Sequence, residues 1–492
     1  MRSRWLSLLW VLLTLPLAAR AVELGEFEDE FGEGRLRPMP RAVDTRAILV
    51  ERRAAKGRGL EPRGAVPRGM RPRTAVEQMR HRGLGSPFLK VMEERQRKVM
   101  LAMGLIGPDF RPAKRRAKAF EQAVAGLYNR QHRHFVIVVP DPLPKKYRLD
   151  EVTHAHEFTH ALQDQHFDLA VVRGNVEGDA AQAVLGLVEG DAVYSQLVYL
   201  AGMGYLRSLR GRRVGFVPDI GRRYGEGFRR GNLAHWKTQP PGERIARADL
   251  EGMIFPYVYG PQFIQYLVEN SPGWGAVRGQ LLDGLEPTKV QAAWALVNRA
   301  FSDRPQSTEQ ILHPEKYLTN RDHPHRIGEP NLAGVLDGWK RLDSSEMGEF
   351  GVRVWLDEFL PERDAVRAAA GWDGDRTLVF ERAGGGEDAD GPFLVASVSI
   401  WDSENDAKEF FQSAAVMLTM RTDATPARLS IGDPRLLRWR APENPTGARL
   451  ERWGRLVALV HGADEATAAA VAQRLFDAER HVDYGDRGKA KQ

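Results

Sequence analysis

Apolar positions along the chain change period in a way that marks out its elements. Residues 88–103 carry Leu89, Met92, Val99 and Leu101 at helical spacing, and 115–128 predict a second helix ending at Ala125-Gly126. Residues 135–139 read Phe-Val-Ile-Val-Val, a β-branched run stopped by Pro140, and predict a strand. A helix is expected from about 149 to 168 and a mostly apolar one from about 179 to 200. Residues 205–245 are rich in Gly and Arg and predict loops. Helical spacing returns at 260–269, 274–283 and 289–300.

The texture changes near residue 346. A helical pattern over 351–370 is followed by strand-like runs at 376–382, 393–401, 434–439 and 448–461, with helices at 404–419 and 464–479. This order predicts an α+β protein: a mostly helical domain with a small sheet over 86–335, then a smaller α+β sandwich over 346–484, one sheet with helices on one face. A length of 492 residues agrees with two cores.

Composition alters the picture mainly at the N-terminus. Arg2 and Arg4 precede an apolar run at 6–17, and Ala19-Arg20-Ala21 fits the small-residue cleavage rule. A signal peptide over 1–21, cut after Ala21, predicts a secreted or periplasmic protein with no stable membrane span after cleavage. Residues 22–34 are acidic, whereas 35–82 hold fourteen Lys/Arg against four Asp/Glu. Proline and like charge oppose collapse, so 22–85 is expected to be a basic, disordered segment or a pro-segment. It lacks the aromatic residues that stack on bases, and nucleic acid is not expected as a partner. The chain has no cysteine, which excludes disulfides, thiol nucleophiles and thiolate metal sites, so any metal must be held by His, Asp or Glu.

Those ligand types meet in one place. His156 and His160 stand four apart in the helix expected over 149–168, which puts both imidazoles on one face, one turn apart. Glu157 lies beside the first and can take a proton from a metal-activated water, whose pKa zinc lowers to about 7. Zn2+ is therefore the expected cofactor, and Glu157 the expected general base.

A third ligand is required, and two candidates exist. His166 has the spacing of the metzincin pattern, but Gln163 stands where that pattern needs a helix-breaking Gly, so His166 is expected to point elsewhere. Glu189 lies in the next apolar helix with Leu185 and Ala192 on its face, where a carboxylate needs a partner. Glu189 is the preferred third ligand, with Glu177 a weaker alternative. Gly190, unfavourable in a helix by about 1 kcal/mol relative to Ala, fits there if two helices approach closely.

The run His156-Glu157-Phe158-Thr159-His160-Ala161-Leu162-Gln163-Asp164 resembles the active-site helix of the thermolysin-like gluzincin metallopeptidases. The likeness covers that helix and loosely its neighbours. Those enzymes place an aspartate four residues after the glutamate ligand to support the first histidine; Val193 stands there in this chain, and Asp191 is the nearest carboxylate. Residues 161–165, 187–192 and 307–317 are similar to phrases of exported bacterial proteins known mainly as metallopeptidases, a likeness spanning about 87–320. The resemblance implies a peptide or protein substrate and a His or Tyr that steadies the oxyanion. His313, held by the following Pro314, is taken first for that role, ahead of Tyr257, Tyr259 and Tyr317.

The expected activity is hydrolysis of peptide bonds, with substrate added as a strand along 135–139. Two alternatives stand beside it: an inactive envelope binding or scaffolding protein, and a zinc hydrolase of a non-peptide bond. Gly384-Gly385-Gly386 and Asp373-Gly374-Asp375 lack the partners of a phosphate loop or a calcium loop, and the second domain suggests no chemistry of its own.

Overall fold

The computed structural model describes residues 36–75, 87–112, 115, 126–130, 132–144, 147–203, 215–382, 391–428, 435–440 and 446–479. The expected signal peptide, the acidic stretch 22–34, Gly384-Gly385-Gly386 and most of the helix predicted over 115–128 lie outside them. Among the described residues no helix is long and apolar enough to cross a membrane. The chain forms two units, one of residues up to Glu93 with Arg111–Asp322, the other of Glu94–Phe110 with His323–Gln492. The first is mainly helical with a small sheet and the second is built on an antiparallel sheet, so the protein is α+β as expected. The boundary moves from 335 to 322, because Ile327, Leu332 and Leu336 are buried in the core of the second unit.

In the first unit, α1 (Arg41–Arg58) and β1 (Arg68–Pro72) overturn the expectation of disorder for residues 36–75. Val43, Ala47, Val50 and Ala54 recur at helical spacing and are all buried. Charge repulsion does not oppose this collapse because the arginines are paired: Arg46 with Glu151, Arg58 with Asp191, and Arg68 with Asp44 and Glu51. The helix signal was present in the spacing, but composition masked it.

β1 pairs in parallel with β3 (His134–Val139), and β2 (Gly126–Asn129) pairs with β3 on the other side, in antiparallel register. The sheet order β1-β3-β2 makes β3 the central strand. Its unbroken apolar run is what a strand covered on both sides carries, and it offers no edge to a substrate. The expected substrate strand along 135–139 is corrected accordingly. Residues 126–128, the end of the helix predicted over 115–128, are strand instead and run on to Asn129.

The remaining helices of the first unit include α2 (Glu151–Phe167), α3 (Gly178–Gly202), α4 (Ile220–Thr238), α5 (Arg247–Val258) and α6 (Gly260–Glu269). Of the loops expected over 205–245, residues 205–214 lie outside the described residues and 220–238 form α4, two of whose glycines are packing surfaces. A Cβ on Gly221 would lie 2.3 Å from the carbonyl oxygen of Pro261, and one on Gly225 2.2 Å from that of Val258, so this face must be bare for the helices to meet.

In the second unit the sheet order is β4-β5-β6-β10-β9-β8-β7, with every neighbouring pair antiparallel. The strands are β4 (Trp339–Ser345), β5 (Trp372–Arg382), β6 (Phe393–Trp401), the short β7 (Ala427–Arg428), β8 (Leu436–Arg440), β9 (Gly447–Trp453) and β10 (Leu456–Ala463). The run predicted over 448–461 is thus a hairpin, turned at Gly454 with φ 58°. The helix predicted over 351–370 is two, α7 (Gly348–Asp357) and α8 (Glu362–Ala369), divided at Pro361.

Helices cover both faces of this sheet rather than one. The helix α10 (Glu465–Glu479) packs through Ala468, Val471, Ala472 and Leu475 on the face bearing Leu394, Ala396, Val398 and Ile400. The opposite face meets α9 (Glu404–Thr422): Trp401 stacks on Phe410 at 4.6 Å, and Trp439 Nε1 donates to Thr419 Oγ1 at 3.0 Å. Strands apolar on both faces demand this second layer.

Candidate metal centre

The site begins with a helix whose start is fixed. The Asp150 carboxylate accepts from the backbone N–H groups of Val152 and Thr153 at 3.1 and 3.2 Å, a cap worth about 1 kcal/mol. From that start α2 carries His156, Glu157 and His160 into the interior. Opposite runs α3, apolar nearly all round and therefore central, which brings Glu189 into the core. The close approach anticipated for Gly190 is present: a Cβ there would fall 2.4 Å from the Gly260 carbonyl carbon, so α3 and α6 touch backbone to backbone.

His156 Nε2 and His160 Nε2 lie 3.3 and 3.4 Å from Glu189 Oε2, and 3.2 Å from each other. These three side chains, all buried, form a group that can hold a metal ion. The spacing is informative. A tetrahedron with metal–ligand bonds of roughly 2.0–2.1 Å has edges of about 3.3–3.4 Å, so the three donors already stand at one face of such a tetrahedron. Two neutral nitrogens and one carboxylate oxygen, with no thiolate, are a donor set that suits zinc.

Electrostatics favours a cation at the same point. Burial works against a charged His160, but the Glu189 carboxylate outweighs it and pushes the imidazole up to about 9. Burial would raise Glu189, yet His160 and His156 together hold its carboxyl well below the usual range. Whatever favours an imidazolium beside Glu189 favours a divalent cation there more strongly.

Glu157 is buried beside the cluster, and its Oε2 accepts from the backbone N–H of Tyr128 on β2 at 2.9 Å. Burial raises its pKa, against the pull of His156 and His160. One oxygen is thus held by the strand and the other is left to take a proton. A buried carboxyl with a raised pKa suits a group that must accept and return one.

The structure separates the remaining candidates. His166 turns away, its Nε2 2.7 Å from the Glu61 carbonyl oxygen, as the absence of a helix-breaking glycine at 163 led us to expect. Glu177 is exposed at the N-cap of α3. His313, taken first for the oxyanion role, has a side chain 37% exposed and faces Glu315 at 3.8 Å. The Tyr317 hydroxyl donates to the Asp303 carbonyl oxygen at 2.7 Å, and Tyr259 lies against Phe255. Tyr257 is the one seated in the site. It hydrogen-bonds to Glu189, its ring centre is 6.4 Å from that of His156, and burial, then Glu189 and Glu157, raise its pKa well above normal.

Several participants escaped the sequence. Gln163, noticed there only as a missing glycine, places Oε1 2.8 Å from His160 Nδ1. Asp191, the nearest carboxylate to the Val193 position, serves Gln163 and Arg58 rather than His156, whose Nδ1 is buried without a hydrogen-bond partner. Tyr224, in the segment expected to be loop, buries its hydroxyl without a hydrogen-bond partner and is felt electrostatically by Tyr257. The i,i+3 spacing of His160 and Gln163 was a local signal that could have been found; the others join elements distant in sequence.

A family model described as a domain of unknown function (DUF8575) matches residues 335–472. That span lies within the second unit and contains none of the three metal-cluster residues. No curated protein and no solved structure matches the chain.

Proposed function

We propose that the protein is an exported zinc metallopeptidase. The observation that carries this reading is the triangle of His156, His160 and Glu189 donors at tetrahedral-edge spacing, with the Glu157 carboxylate buried beside it. Zinc bound there would act as a Lewis acid, acidifying a water and polarising a carbonyl oxygen.

The chain's own groups supply the rest. Glu157, anchored by the Tyr128 N–H, takes the water proton on its other oxygen and returns it to the leaving amine. Tyr257, whose raised pKa keeps its hydroxyl protonated, stands against Glu189 at the cluster and takes the oxyanion role first assigned to His313. Because the Tyr128 N–H points at Glu157, the outer edge of β2 faces the site. Among the described residues that edge pairs with no other strand. An extended peptide adding to β2 would lie across Glu157, which favours a peptide over a non-peptide substrate.

The test is a peptide-library cleavage assay on zinc-loaded protein with Glu157→Gln as its partner. Cleavage by the parent, reduced about 10²–10⁴-fold in Glu157→Gln at equal zinc content, is the expected result. Zinc binding with no cleavage of any peptide would favour the scaffolding alternative, and equal cleavage by both proteins would remove Glu157 as the base.

A further inference from the structure

Beneath the cluster lies a charge pair sealed from solvent. Arg58, the last residue of α1, and Asp191 on α3 are both 0% exposed, with Nε and Oδ1 2.7 Å apart. Burying two ions costs several kcal/mol each, and such a pair generally adds no stability over apolar residues of the same volume. Beyond its contact with Asp191, and among the described residues, the guanidinium is held by an aromatic face rather than by further hydrogen bonds. The Arg58 guanidinium lies 4.3 Å over the Trp294 ring, and Trp294 Nε1 donates to the Gly57 carbonyl oxygen at 2.9 Å.

The second oxygen of Asp191 shows what the pair does. Oδ2 accepts from Gln163 Nε2 at 2.8 Å, and the same amide nitrogen donates to the Val188 carbonyl oxygen at 2.9 Å. Both amide hydrogens are therefore committed. Turning the amide over would set its oxygen against a carboxylate and a carbonyl, so Oε1 is left facing His160 Nδ1 at 2.8 Å. A neutral His160 can then carry its proton only on Nδ1, which leaves the Nε2 lone pair directed at the cluster. With the amide reversed, the proton would sit on Nε2 and that nitrogen could bind no cation.

We infer that Arg58 is a positioning residue of the metal centre: through Asp191 and Gln163 it fixes the tautomer and orientation of His160. The inference rests on the metal-centre reading. It makes the basic segment 36–75 a working part of the centre rather than a leader to be discarded, since α1 reaches the core with the charge that orders the ligand helix.

The experiment uses full-length protein and two probes, zinc measured by chelator competition and cobalt by its visible spectrum. Arg58→Met with Asp191→Leu removes both charges and orphans neither; Arg58→Met with Asp191→Asn likewise leaves no buried charge, keeps the volume at 191 and is read in the same way. The expected result is a metal-free protein that melts within a few degrees of the parent, with zinc affinity reduced about 10–100-fold and altered cobalt bands. Gln163→Leu should reproduce the affinity loss. Parent-like affinity and cobalt spectrum in whichever charge variant folds would overturn the inference and leave the metal centre standing. A parent chain that binds neither metal would overturn the metal-centre reading, and the inference with it.

Discussion

Replacing Gly190 with alanine should destabilise the first unit, although alanine is the better helix former. An ideal Cβ at 190 falls 2.4 Å from the Gly260 carbonyl carbon and 2.6 Å from its Cα and oxygen. Ordinary contact between such atoms is about 3.5 Å, so α3 and α6 must part by about 1 Å. The atoms in the way are backbone and cannot step aside as a side chain would. Overpacking of this kind costs about 1–3 kcal/mol, against a helix-propensity gain of about 1 kcal/mol; the net loss is up to about 2 kcal/mol. Because Glu189 is the adjacent residue, the same displacement misplaces a ligand, and zinc affinity should fall together with stability. Gly186→Ala is the control, one turn earlier in α3. A Cβ there meets only side-chain atoms of Ile311 and Phe255 at 3.4 Å, so that variant should match or exceed the parent by up to about 1 kcal/mol. Urea denaturation of the three proteins, with zinc titration of each, reads both effects. Equal stability of Gly190→Ala and parent, or equal losses in the two variants, would refute the backbone-contact reasoning.

Other outcomes are open to direct measurement. Zinc content should be about one per chain in the parent and in His166→Ala but lost in Glu189→Ala, because His166 is turned to the Glu61 carbonyl; retention by Glu189→Ala would displace it as a ligand. Burial pushes Asp375 up to about 6, above the ordinary carboxylate range, so the folded state holds an extra proton between about pH 4 and 6. Stability of the second unit should therefore fall as pH rises through that window, by on the order of 2–3 kcal/mol. Asp375→Asn should lack that fall, and urea midpoints of both proteins at pH 4.5 and 6.5 decide it. A chain lacking residues 36–75 should bind no zinc, since it loses the Arg46–Glu151 and Arg58–Asp191 pairs; binding at full affinity would show that the segment is dispensable.

The HExxH helix, Glu189 and the close contact at Gly190 were legible because each depends on local spacing. Two histidines one turn apart, a carboxylate on an apolar helix and a glycine inside it all carry their meaning within a few residues. Segment 36–75 was misread for the opposite reason. Its composition spoke of disorder, while Val43, Ala47, Val50 and Ala54 gave a helical stripe, and the charges that should have opposed folding found partners a hundred or more residues away in Glu151 and Asp191. In the same way Gly221 and Gly225 suggested a loop, when their lack of side chains serves helix packing.

By itself the sequence determined the α+β class, most of the helices, and a trio on α2 and α3 able to hold a metal ion, because hydrophobic period and ligand spacing are properties of the chain. Only the tertiary structure decided that β2 rather than β3 presents an edge to Glu157, that Tyr257 rather than His313 stands against Glu189, and that Arg58 closes the network behind His160. Strand order, ring placement and buried charge pairing arise between elements far apart in sequence, and which of several chemically equivalent partners is used is settled when those elements pack.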